Sequence, residues 1–505
     1  MSELSEPSAF SIAKLRIIAI GPILFLILIA LPQIPYISPL AQKSLAVTSW
    51  MLAWWISEVV AISVTALLPL VLFPLLGILS IKEASEAYGN PVIFLFMGGF
   101  MLALALEKHK LHLRIALSIV QFTGTNANGI IWGFMLATAF LSMWISNTAT
   151  TVMMLPIASS VIALLSVTTD KDSKNFQNFA VAMMLGIGYA ATIGGVATLI
   201  GTPPNTVMAS ILAEKYNYRI NFGQWMAFGF PFMLILLYLC YFVLIKIVYP
   251  NRLKHFTGSR EIIDKELSKL GKITTAEVRT LIIFSCTAFL WIFQDLIKYL
   301  LKISLNFKLN IEDTMIAVMA SILLFLVSDG KKQNTNFLLE WKDTEKMPWG
   351  ILLLFGGGLC LANALDKTGL IQLIGDSMAN NKGLSILLLL IILAFLSIFI
   401  SEIMSNVALV SVFVPVVLGL AVKLGENPLL LAIAVTLGAS CAFMLPMGSP
   451  PNAIVFSSGY LKVSQMVKAG FILNIIATIL IVLFAYFVLP LIFGIEFGKI
   501  PAWVK

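Results

Sequence analysis

Apolar residues run along this chain in long unbroken stretches set apart by short polar interruptions. The first stretch, 17–34, follows a polar N-terminus carrying Lys14 and Arg16. It is longer than a signal-peptide core, and no small-residue cleavage site follows it, so it reads as a retained first helix. Further stretches lie at 45–56, 59–79, 91–106, 129–145, 152–167, 180–200 and 225–248. A polar connection at 249–279 then carries seven basic residues, Arg252, Lys254, Arg260, Lys265, Lys269, Lys272 and Arg279. The pattern resumes at 281–297, 314–327, 349–365, 384–400, 407–422, 429–445 and 469–493. Continuous apolar runs predict helices, because a membrane β-barrel would alternate at every second residue. Between ten and fourteen membrane segments fit these runs, and several are too short to cross alone. The class is an all-α polytopic membrane protein.

Composition sharpens the picture. Of 505 residues, 59% are hydrophobic and only 11% charged, with a mean hydropathy of +0.96. A soluble fold cannot hide that much apolar surface, and soluble proteins run near a quarter charged. A soluble enzyme, a nucleic-acid-binding domain and a disordered chain are excluded. The net charge of +8 is the expected signature of cytoplasmic loops, which places the N-terminus and 249–279 on the cytoplasmic side. Cys240, Cys286, Cys360 and Cys441 lie far apart, in or beside apolar runs, and read as packing residues rather than a disulfide or metal framework.

The two halves are copies. At an offset of 259, Phe96, Gly98, Gly99 and Lys108 fall on Phe355, Gly357, Gly358 and Lys367. The same offset of 259 puts Ser142, Ser146-Asn147 and Pro156 on Ser401, Ser405-Asn406 and Pro415. A second block repeats at 247: Gly201-Thr202-Pro203-Pro204-Asn205 against Gly448-Ser449-Pro450-Pro451-Asn452. Duplicated bundles with interrupted helices are characteristic of secondary transporters.

Chemistry concentrates at those interruptions. Ser, Asn and Thr are ordinary turn and N-cap residues, so a single such stretch reads as a surface turn. Here the Ser-Asn recurs at the repeat offset, and each copy is followed by a Pro-Pro-Asn motif. Two prolines in an apolar run free backbone groups, which is tolerated at membrane depth only inside protein or beside an aqueous site. Helix N-termini suit an anion, and freed carbonyls with Ser and Asn oxygens suit a small hard cation.

On these motifs the chain resembles the divalent anion/sodium symporter family, transporters of dicarboxylates, citrate and sulfate. Ser146-Asn147-Thr148 matches the family's first hairpin-tip motif, and Ser405-Asn406-Val407 matches the second at two of three positions. The stretch from Trp54 to Glu58, followed by 65–69, is similar to another typical of the family. Val407 replaces a hydroxyl residue and puts substrate preference in question.

The resemblance implies two inverted-topology repeats, each with a re-entrant helical hairpin and a Pro-broken helix, with about eleven transmembrane helices besides the two hairpins. Residues 1–40 would form the N-terminal segment, 41–248 the first repeat, 249–279 the basic connection and 280–495 the second repeat. Scaffold and transport parts would each draw on both repeats, in a homodimer working as an elevator. It implies Na⁺ as coupling ion. One sodium site would use Ser142, Ser146, Asn147 and the Gly201 backbone; the other would use Ser401, the backbone near Met404, Asn406 and the Gly448 backbone. The substrate would lie among Ser146, Asn147, Thr148, Thr202, Pro203, Ser405, Asn406, Val407, Ser449 and Pro450. The expected location is a bacterial inner membrane.

Glu402, placed at the mouth of its hairpin, and Glu58 read as structurally paired carboxylates, with a proton relay the sharper alternative for both. The charges at 107–114 read as a solvated helix end, His255 as incidental, and Trp50, Trp54, Trp55, Trp341 and Trp349 as an interfacial belt. No His, Cys or Asp constellation fits an enzyme. The leading function is sodium-coupled symport of a C4-dicarboxylate such as succinate, malate or fumarate. Sodium-independent di- or tricarboxylate exchange, sulfate or citrate as substrate, and an anion channel are the alternatives.

Overall fold

The computed structural model describes residues 12–123, 126–168, 173–251, 253, 259–305, 310–331, 336–373 and 385–504. His255, Arg252 and Lys254 lie outside them. The described chain is helical throughout, apart from an isolated bridge between Ser328 and Phe337. Among the described residues, eight helices are long and apolar enough to cross a membrane. Helices Ala127–Ser142 and Ile386–Ser401 have 16 residues each, about 24 Å of rise against a hydrocarbon core of roughly 30 Å. Each turns back through four residues into helices Asn147–Thr168 and Asn406–Lys423. Each is a helical hairpin whose first arm is too short to cross a membrane alone.

One apolar run departs from its expected form. The stretch 59–79 is not a single helix but two short ones, Ile62–Thr65 and Leu68–Leu75. Pro69 has no N–H to continue the first ladder, and it sits in the opening turn of the second, where none is needed. Before them, helix Pro39–Ser57 ends at Glu58, exposed and left-handed at φ 48°, so this carboxylate belongs to a helix cap. The interfacial reading suits Trp341, 69% exposed, but not Trp55, which is wholly buried. The indole of Trp55 donates to Ile62 O at 3.3 Å, tying the cap region together.

The glycines shared by both halves pack helices. A Cβ on Gly98 would lie 2.7 Å from Ala317, and one on Gly357 would lie 2.4 Å from Ala66 O. Without a hydrophobic force between helices in lipid, such close backbone approach is what holds them. Each glycine belongs to one half and its contact to the other. The broken helices cross over in the same way: Pro203–Tyr216 packs on Asn406–Lys423, and Pro450–Ser457 packs on Asn147–Thr168.

The charges at 107–114 are fastened rather than merely solvated. Lys108 pairs with Asp343 at 2.6 Å and Arg114 with Glu277 at 2.7 Å. His112, buried, faces Leu106 O at 2.8 Å. Of the cysteines, Cys240, Cys360 and Cys441 are buried, Cys286 is exposed, and all four are free.

Candidate functional site

Both Pro-Pro motifs open a helix instead of interrupting one from within. Helix Lys174–Gly195 unwinds over 196–202, and Pro203 and Pro204 begin helix Pro203–Tyr216, with Thr202 at its N-cap. Helix Pro428–Ala439 unwinds over 440–449, and Pro450 starts the next helix behind Ser449, whose hydroxyl accepts from Asn452 N at 3.4 Å. Proline at the first helical position loses no hydrogen bond. The unwound carbonyls are then held by side chains. Asn205 Nδ2 donates to Thr198 O at 2.8 Å and Val196 O at 3.3 Å. Asn452 Nδ2 donates to Ala442 O and Leu445 O, both at 3.1 Å.

In the first half, Ser142, Asn147 and Gly201 come together. Ser142 Oγ lies 2.6 Å from the Asn147 amide and 2.7 Å from Ala191 O. The same amide atom of Asn147 is 3.2 Å from both Ala191 O and Gly201 O. With nitrogen there the amide donates to its neighbours and the cluster is satisfied; with oxygen there, four neutral oxygens are gathered that could hold a cation. That set is neutral, without a titratable group, and suits sodium better than a proton. Ser146 Oγ accepts from Ala149 N at 3.2 Å and keeps a further lone pair and its own O–H.

The second half repeats the design with a difference. Ser401 Oγ donates to Ile398 O at 2.8 Å, which leaves its lone pairs free. Asn406 Oδ1 is buried and has no hydrogen-bond partner, a loss that a bound cation would offset. The join between hairpin turn and unwound segment runs through Glu402, which is 3% exposed. Its carboxylate accepts from the backbone of Phe443, Met444 and Leu445 and from the Asn474 amide. Glu402 is thus structurally paired, though inside the protein and not at a hairpin mouth.

The remaining expected residues divide by exposure. Ser146, Asn147, Pro203, Met404-flanking Ser405, Asn406 and Val407 are half-buried, and Thr148 and Pro450 are exposed. Thr202, Ser449 and Met404 are buried. Sequence reasoning missed Ala191, Thr198 and Asn474; of these, Thr198 and Asn474 were visible as polar residues inside apolar runs. A cavity of about 310 Å³ beside the far end of helix Pro203–Tyr216 is ringed by Glu83, Glu214, Lys215, Asp366 and Lys367. Neither hairpin turn lines it.

Paired helical hairpins packed with unwound, proline-started helices in a duplicated, apolar bundle fit a secondary transporter. The chain belongs to the family described as the sodium:sulfate symporter transmembrane region, which it matches over residues 12–493. It is 38% identical over 497 residues to the sodium-dependent dicarboxylate transporter SdcS of Staphylococcus saprophyticus, covering 98% of this chain and 95% of that one. It is 37% identical over 502 residues to SdcS of Staphylococcus aureus, covering 99% and 95%. In fold it is similar to the YdaH transporter of Alcanivorax borkumensis, at a TM-score of 0.55 and 13% identity over 81% of this chain and 87% of that one. MtrF of Neisseria gonorrhoeae gives a TM-score of 0.53 at 13% identity, covering 81% and 83%.

Proposed function

We propose that this protein carries a C4-dicarboxylate into the cell together with sodium, by alternating access of the two hairpin sites. The observation that carries the reading is the Asn147 amide set among Ser142 Oγ, Ala191 O and Gly201 O, with Asn406 Oδ1 unpartnered at the equivalent position. Two neutral-oxygen clusters of matching design fit two sodium ions. Asn147, Thr148, Asn406 and Val407, at helix N-termini, would then meet the substrate carboxylates through their amides and dipole ends. The dicarboxylate class is supported by the named relatives.

The reading extends to how the molecule works. The hairpins and broken helices would form a transport part sliding against a scaffold part in an elevator, with the repeats inverted in the membrane. Contacts between helix Pro203–Tyr216 and helix Trp349–Lys367, such as Lys215 to Asp366 at 2.5 Å, would be among those that change. The protein would sit as a homodimer in a bacterial cell membrane, and the seven basic residues of 249–279 support a cytoplasmic face for that connection.

The test is uptake of labelled succinate, malate, fumarate, citrate and sulfate into proteoliposomes, with and without an inward sodium gradient. Sodium-driven uptake of the C4-dicarboxylates is expected. Uptake that needs only internal dicarboxylate would replace symport with exchange.

A further inference from the structure

The two hairpin turns are fastened to their unwound segments by different chemistry. In the first half the fastener is a neutral hydroxyl: Thr198 Oγ1 donates to Met143 O at 2.6 Å and accepts from Gly201 N at 2.9 Å. At the offset of 259, Met143 corresponds to Glu402, and at 247 Thr198 corresponds to Leu445, which has no hydroxyl. Where the Thr198 side chain reaches from segment to turn, in the second half the Glu402 side chain reaches from turn to segment and accepts there. Glu402 Oε1 accepts from Phe443 N, Met444 N and Asn474 Nδ2, each at 2.8 Å, and Oε2 accepts from Leu445 N at 2.9 Å. Four donors on one carboxylate match an acceptor-only anion. Gly448 lies directly against it, since a Cβ there would be 2.6 Å from Glu402 Oε2.

We propose that Glu402 is the positioning residue of the second sodium site: it fixes the backbone that presents Gly448 and sets beside it a negative charge for which Met143 gives the first site no counterpart. The inference rests on the sodium-coupled reading. A carboxylate close to a buried cation strengthens its binding, so the two sites differ in affinity although their Ser and Asn residues match. All four donors aim at the carboxylate, which makes it a fixed clasp and not a proton carrier.

The test is the sodium activation curve of succinate uptake by the full-length protein in proteoliposomes, normalised to inserted protein. Glu402→Gln keeps the shape but loses the charge and one acceptor. It should raise the half-saturating sodium concentration about ten-fold while leaving the succinate KM at saturating sodium within about two-fold. Its pH profile should match that of the wild type. Asn474→Ala keeps the charge and removes one donor, and should shift half-saturating sodium in the same direction by a smaller factor. An unchanged sodium curve in correctly inserted Glu402→Gln, or loss of a pH step seen in the wild type, overturns the proposal. If Glu402→Gln does not fold, the Asn474→Ala curve decides, a shift supporting the proposal and an unchanged curve overturning it. A wild-type protein indifferent to sodium would instead refute the symport reading itself.

Discussion

Phe96 and Phe355, which occupy equivalent places in the two halves, touch each other edge to face with ring centroids 5.1 Å apart. A contact between equivalent residues is what a two-fold relation between the halves would produce. The contacts of Gly98 with Ala317 and of Gly357 with Ala66 likewise join one half to the other. Both rings are buried, so Phe96→Ala and Phe355→Ala should each destabilise the protein. In a double-mutant cycle followed by thermal unfolding in detergent, the pair should show a coupling of about 1 kcal/mol. Strictly additive losses would mean that the rings do not support each other.

The asparagines at the two turns should be the least replaceable polar residues. Asn147 touches Ser142 and approaches Ala191 O and Gly201 O, and Asn406 Oδ1 is left for a ligand. Asn147→Ala and Asn406→Ala should each lower uptake at least ten-fold, with folded protein still in the membrane. Near-normal transport in either variant removes that residue from the site.

Gly201 should tolerate no side chain. A Cβ there would lie 2.4 Å from Gly195 O, a backbone atom that cannot swing aside, whereas a Cβ on Gly99 would meet only Ile200 Cδ1 at 3.4 Å. Gly201→Ala is therefore expected to displace the unwound segment and abolish sodium-stimulated uptake. Gly99→Ala, making ordinary contact, should transport normally. Equal behaviour of the two variants in the same uptake assay would count against a close approach at Gly201.

Much of this was legible in the sequence for a physical reason. Apolar runs must be helices in lipid, and a repeated Ser-Asn with a repeated Pro-Pro-Asn marks the places where helices stop. What escaped was chemistry that depends on contacts between distant segments. Nothing local tells that Trp55 turns inward to Ile62 O, or that Thr198 reaches back to Met143 O across 55 residues. Glu402 was visible as an acid beside a motif, but its partners at 443–445 and Asn474 are joined to it only by folding. The run at 59–79 misled because its prolines were read as part of one apolar span and not as the start of a second helix.

Val407 sits half-buried in the first turn of helix Asn406–Lys423, where the first half has Thr148. A site with a hydroxyl discriminates among substrate oxygens more sharply than one without it. Val407→Thr should change the relative inhibition of succinate uptake by malate and citrate, by several-fold, while activity persists. An identical competition profile would place position 407 away from the substrate.

The last prediction concerns charge. Carrying a dianion into a negative interior costs about 2.3 kcal/mol per charge per 100 mV, roughly 4.6 kcal/mol in all at that potential. One sodium leaves half of this uncompensated, two cancel it, and a third makes the step favourable by about 2.3 kcal/mol. The two oxygen clusters, Ser142 with Asn147 and Gly201, and Ser401 with Asn406 and Gly448, argue for at least two ions per dianion. Uptake into vesicles clamped with a potassium diffusion potential reads the number directly. An interior-negative potential should leave dicarboxylate uptake unchanged if two sodium ions accompany it and accelerate it if three do. Slower uptake at negative potential would mean fewer than two, and the pairing of one cation with each hairpin turn would have to be given up.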